Sequence, residues 1–234
     1  MRRPLTFAAA LLLLLTALTA CTGREPRPPA SAGPSGSAGQ LPPADGLLRE
    51  AAAELRDLRT VRFEISTNGG DLLGIRSASG RVTAAGEADG KVRLDQTGVA
   101  SDLSFVVKPP DLYVKGLAAG GWQRLPLAAA AAVYDPSALL SPERGLARLV
   151  GTAHGTTEAR EELGGVPTYR IRGTLAGAGL AVLVPGLSSD ATGTLWVGTD
   201  RRLLHQARFA VPGQSGEVTV TFSDFDAPVT VVKP

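Results

Sequence analysis

Residues 45–66, DGLLREAAAELRDLRTVRFEIS, decide the fold. Leu48, Ala51, Ala52, Leu55 and Leu58 recur at i, i+3, i+4, i+7 and i+10, one apolar stripe of an α-helix. Asp45 can cap its N-terminus, Glu50 lies early, and Arg56 and Arg59 lie late, as the helix dipole favours. The spacing predicts a helix over 46–59. At Val61 the period drops to two: Val61, Phe63 and Ile65 alternate with Arg62, Glu64 and Ser66. That is a strand with one dry and one wet face. A helix with one apolar stripe, followed at once by such a strand, needs a sheet to lie on.

Downstream the period of two continues. Arg76–Gly86 and Lys91–Gln96 read as a strand pair joined at Ala88-Asp89-Gly90, because Asp-Gly between alternating segments favours a hairpin turn. Leu103, Phe105 and Val107 alternate, Pro109-Pro110-Asp111 turns the chain into Leu112–Lys115, and Trp122 falls on a further short strand. The middle differs. Leu127–Val133 is almost pure Ala, and Asp135-Pro136 and Ser141-Pro142 each set a capping residue before a Pro. Two short helices follow, with Leu139, Leu140, Leu146, Leu149 and Val150 on their apolar faces. Strands resume at Thr168–Thr174, Gly193–Gly198, Leu203–Val211, Glu217–Ser223 and Pro228–Val232, with a short helix at Ala178–Leu183. The expected fold is α+β: one curved antiparallel sheet of nine or ten strands with helices collected on one face.

Towards the N-terminus the composition changes twice. Residues 1–20 have a basic start, Arg2-Arg3, then an uncharged apolar stretch from Leu5 to Leu18, the layout of a secretory signal peptide. Fourteen residues at about 1.5 Å each span about 21 Å, short of the ~30 Å bilayer core. Leu18-Thr19-Ala20-Cys21 looks like a bacterial lipobox, in which the Cys sulfur receives a diacylglycerol and the chain is cut before it. Cys21 is the single cysteine of the chain, so intramolecular disulfides and cysteine metal clusters are excluded. Residues 21–44 hold Pro26, Pro28, Pro29, Pro34, Pro42 and Pro43 among Gly and Ser and read as a disordered tether. The folded domain is then 45–234. With 24 basic and 22 acidic residues overall, the two arginines of the leader account for the net +2. The mature chain is neutral, so a lipid rather than surface charge must hold it to the outer face of the cell membrane.

Catalytic patterns are missing from the sequence. Gly213-Gln214-Ser215-Gly216-Glu217 fails the nucleophile elbow at its last position, and Gly86–Lys91 is one residue short of a phosphate loop. There is no H-E-x-x-H, and the two histidines, His154 and His205, read as a helix-end side chain and a packed or surface side chain of a strand. Asp224 and Asp226 read as a turn, and Trp122 and Trp196 as sheet packing. Neither a cofactor nor a metal is expected, and no aromatic residues interleave with Lys and Arg for nucleic acid.

The order of these pieces resembles the LppX/LprAFG lipoproteins of mycobacteria and related actinobacteria. The lipobox, the tether and the helix leading into Val61–Ile65 carry the likeness. So do Asp111-Leu112-Tyr113, Asp135-Pro136-Ser137-Ala138-Leu139-Leu140, Gly145-Leu146-Ala147, Gly165-Val166-Pro167-Thr168-Tyr169, Thr194-Leu195-Trp196-Val197 and Val218–Phe225. The resemblance implies a half-barrel sheet around helices, similar to the LolA/LolB carriers, enclosing an apolar cavity for acylated lipid or glycolipid carried through the cell envelope. It implies an anchored, non-enzymatic protein, loaded by a lipid-exporting transporter. Alternation then puts Phe63, Ile65, Val92, Leu94, Phe105, Val107, Tyr169, Ile171, Leu195, Val197, Phe209, Val218, Val220 and Phe222 inward. Leu139, Leu140, Leu146, Leu149, Val150, Leu180 and Leu183 close the cavity from the helix side. Tryptophan at Val150 or Leu146 is expected to intrude on bound lipid without unfolding the domain. The alternative is an envelope scaffold with a solid core and no lipid cargo.

Overall fold

The computed structural model describes residues 40–68, 74–96, 99–117, 120–128, 136–183, 187, 189–211, 213 and 216–234. The leader, Cys21 and most of the expected tether lie outside these residues. So do 129–133 of the Ala-rich run, 134–135 with the predicted cap at Asp135, and 184–186 after the last predicted helix.

Helix α1 (Ala44–Arg56) buries Ala44, Leu47, Leu48, Ala51, Ala52 and Leu55, the predicted stripe extended at its start, but it ends three residues before the predicted 59, so Leu58 lies beyond it. It begins two residues earlier than expected. Pro43 occupies the N-cap without a side-chain bond, and Asp45 sits inside the first turn, where its charge meets the helix dipole. Thr157 Oγ1 donates to the Pro42 carbonyl at 2.7 Å, so the fold already includes the last prolines ahead of the helix.

Eleven strands follow among the described residues. They are β1 (Thr60–Asn68), β2 (Ile75–Thr83), β3 (Ala88–Gln96), β4 (Val99–Lys108), β5 (Asp111–Lys115), β6 (Gln123–Pro126), β7 (His154–Leu163), β8 (Val166–Leu175), β9 (Ala191–Gly198), β10 (Leu204–Ala210) and β11 (Glu217–Ser223). Every neighbouring pair is antiparallel, in the order β6-β5-β4-β3-β2-β1-β11-β10-β9-β8-β7. The last strand closes against the first, and the two halves of the chain fan out on either side of that seam. Between β6 and β7 come a 3₁₀ turn (Pro136–Leu140) and α2 (Leu146–Gly151); a helical turn, α3 (Gly177–Leu180), follows β8. The result is the expected α+β half-barrel, with α1 packed on α2 and on β7 and β9.

Four expectations change. Ala88-Asp89-Gly90 lies within β3, and the turn is at 84–87, where Gly86 takes φ +79°. Gly90 pairs with Gly80 across β2–β3, and their flanking partners in that row are Phe105 and Phe63. A Cβ at Gly90 would lie 2.7 Å from Phe105 Cζ, so these glycines make room for rings rather than for a turn. Strand β7 was not predicted; as an edge strand it has no fully buried residue and shows no apolar alternation. Pro228–Val232 is not a strand. Side-chain bonds hold this tail, with Thr60 Oγ1 donating to the Ala227 carbonyl and Lys108 Nζ to that of Val231. Finally, Ser141-Pro142 opens a turn, and α2 starts only at Leu146 behind Gly145.

Candidate functional site

The inner face of the sheet can be followed along one row. Backbone partners align Leu103, Val92, Ala78, Ile65, Val220, Ala207, Leu195 and Ile171 across eight strands, from β4 to β8. All eight side chains point to the side of the helices. From Val220 to Ile171 none is more than 3% exposed. From Leu103 to Ile65 all four are only half-buried, as are Leu94 and Phe105 beside them.

The predicted cavity residues divide along this line. Phe63, Val107, Ile171, Leu195, Val197, Phe209, Val218, Val220 and Phe222 join Leu139, Leu140, Leu146, Leu149, Val150, Leu180 and Leu183 in one closed core. Ile65, Phe105 and Tyr169 pack against its margin, whereas Val92 and Leu94 stand outside it. Leu103 and Ala78, absent from the predicted set, belong to the half-buried row; the alternation at Leu103 was the available signal. The helix side is filled where it meets α1. A Cβ at Gly151 would lie 3.3 Å from that of Ala52, and Leu146 and Val150 on the same helix are buried.

A groove of about 630 Å³ runs along the same strands. Ile65, Ala78, Val92 and Leu103 of the row line it together with Glu64, Ser66, Ser77, Ser79, Lys91, Arg93, Asp102, Ser104 and Thr221, which alternate with them. Arg93 forks onto Asp102 at 2.8 and 3.0 Å, and this hydrogen bond holds the Asp102 carboxyl below the usual range. Sequence reading missed the groove, because outward serines look like plain solvent-facing positions until register sets them side by side.

The remaining polar candidates have structural partners. His205 meets the Phe225 ring edge-on at 5.2 Å, and burial lowers its pKa below the ordinary 6.5. His154 opens β7, 3.8 Å from Asp45. Asp224 pairs with Arg62, and Asp226 accepts the Arg59 N–H; both aspartates take positive φ in the expected turn. Trp196 donates to Glu161 at 2.7 Å beneath Arg208, as sheet packing predicts, but Trp122 precedes β6 and is exposed. Among the described residues no cluster of His, Cys, Asp or Glu could hold a metal, and no helix is long and apolar enough to cross a membrane.

The model of the LppX_LprAFG lipoprotein family matches residues 43–231. The lipoarabinomannan carrier protein LprG of Mycolicibacterium smegmatis is 32% identical over 205 residues, covering 83% of this chain and 84% of that one. The putative diacylated glycolipid transporter LprF of Mycobacterium tuberculosis is 26% identical over 252 residues, covering 100% of this chain and 94% of the relative. The crystal structure of LprF from Mycobacterium bovis superposes with a TM-score of 0.70 at 25% identity, covering 82% and 96% of the two chains. That of Mycobacterium tuberculosis LppX gives 0.60 at 23%, covering 81% and 98%, a likeness of fold.

Proposed function

The chain belongs to the LppX_LprAFG lipoprotein family, and from that premise we propose that it is a membrane-anchored carrier of acylated lipid or glycolipid. The observation that carries this reading is the inner row that stays half-buried from Leu103 to Ile65. Water-facing aliphatic side chains on the concave side of a sheet gain about 0.8 kcal/mol for each methylene they shield together with a guest chain. The names of the relatives, a lipoarabinomannan carrier and a diacylated glycolipid transporter, support an acylated cargo. Transfer from water to such a face resembles transfer from water to a bilayer, so loading and unloading are nearly balanced and need no ATP site in this chain. Direction then comes from a partner, a lipid-exporting transporter.

In this reading Cys21 carries the lipid anchor, residues 22–39 act as a spacer, and the domain works on the outer face of the cell membrane. Cys21→Ser is expected to move the protein into the soluble fraction; retention in the membrane pellet at wild-type size would sink the anchor. For the cargo, residues 40–234 are purified without the anchor and extracted into organic solvent for mass spectrometry. Acylated lipid is expected in the extract. The closed core over β8–β11 favours the second reading, a scaffold without cargo, and a lipid-free extract would decide for it.

A further inference from the structure

Among the described residues three large apolar side chains stand well out in solvent: Leu117, Trp122 and Val232. Two share one place, the connection between β5 and β6, with Leu117 54% and Trp122 39% exposed. From Gly116 to Trp122 the sequence carries no charge, while Lys115 and Arg124 bracket it. Arg124 is held to Asp111 at 2.9 Å, with most of its side chain in solvent. A single exposed Leu needs no explanation. The position of this pair does.

Register places Ser104 opposite Lys115, so Gly116 falls beside Leu103. Gly116 has φ +105°, and a Cβ there would lie 3.1 Å from Leu103 Cδ2. Leu103 is the outermost member of the half-buried row that runs inward through Val92 and Ala78 to Ile65. The connection that carries the two exposed side chains therefore starts at the outer end of an apolar track.

An indole and an isobutyl group on a neutral connection, with cations on either side, match the chemistry of a bilayer interface. Tryptophan settles at headgroup depth, and flanking Lys and Arg reach towards phosphate. A protein partner fits less well, since two side chains provide far less contact than the roughly 800 Å² per partner of a stable interface.

We propose that Leu117 and Trp122 dip into the membrane surface and that acyl chains pass between the bilayer and Leu103 by this route. The passage of cargo rests on the carrier reading; the bilayer contact is tested separately. The chain has two tryptophans, and Trp196 is buried and hydrogen-bonded, so Trp122 reports the change. Residues 40–234, a compact unit of their own, are mixed with phosphatidylcholine vesicles brominated along the acyl chains. The expected result is a blue shift and quenching of emission, both lost in Trp122→Phe. Leu117→Asp is expected to abolish vesicle binding and slow lipid transfer between vesicles while leaving the unfolding midpoint in place. Emission untouched by vesicles overturns the proposal. Quenching by monomeric short-chain brominated lipid but not by vesicles also overturns it, because Trp122 then touches cargo alone. Vesicle quenching by a protein whose extract holds no lipid keeps the bilayer contact and removes the carrier reading.

Discussion

Two stretches of one row of side chains have different fates. Val220, Ala207, Leu195 and Ile171 are closed off, whereas Ile65, Ala78, Val92 and Leu103, which continue the row across the seam from Val220, stay half-open to solvent. Both are aliphatic, both alternate with polar neighbours, and both belong to antiparallel strands. The difference lies above them. Helix α1 lies against β7 and β9 with α2 packed on it, while on the other side the 3₁₀ turn Pro136–Leu140 reaches β2. Apolar alternation thus records which face is dry-seeking, and the covering layer determines whether it becomes core or surface for a guest.

The comparison is broken most forcefully by truncation. Phe209→Ala in the closed half is expected to cost about 3–5 kcal/mol in urea unfolding, against far less for Leu103→Ala. Equal losses would mean that both halves are solid. Overpacking gives the next largest effect. Val150→Trp is expected to cost about 1–3 kcal/mol by forcing α2 off α1, whereas Val92→Trp leaves stability in place and lowers the bound lipid recovered by extraction. If Val92→Trp instead destabilises as much as Val150→Trp, the open half is not open.

A smaller effect belongs to acid. Burial holds His205 below its ordinary pKa of 6.5, so the unfolded chain takes up the proton first. Stability is therefore full above 6.5 and falls as pH drops through the lowered folded value. His205→Gln is expected to flatten that part of the profile, measured as unfolding free energy on either side of 6.5; an unchanged slope would exclude this imidazole as its source. The smallest effect is expected on the outward face of the open half. Arg93→Ala should leave the unfolding midpoint unmoved, because exposed pairs contribute little, while the Asp102 carboxyl rises towards the ordinary range in an NMR titration.

Much of this was legible in residue spacing. The stripe of α1 and the parity of β1, β4, β9 and β11 followed from local periodicity, and so did the membership of Phe63, Leu195, Val218, Val220 and Phe222 in the core. Three features were not. Asp89-Gly90 looks like a turn, yet the ring of Phe105 needs that glycine in a strand. Strand β7 has no dry face to betray it, and its identity as a strand comes only from pairing with β8. Pro228–Val232 alternates like a strand, but no ladder receives it.

The sequence by itself determined which side chains share a face, because strand and helix periods are properties of the local backbone and need no knowledge of neighbours. The order of strands, the seam between β1 and β11, and the placing of α1 over one half of the sheet depend on contacts between residues far apart in the chain. Only tertiary structure decided that the row is buried from Val220 to Ile171 and half-open from Leu103 to Ile65, since burial is set by what lies above a face, and a residue's own spacing holds no record of that.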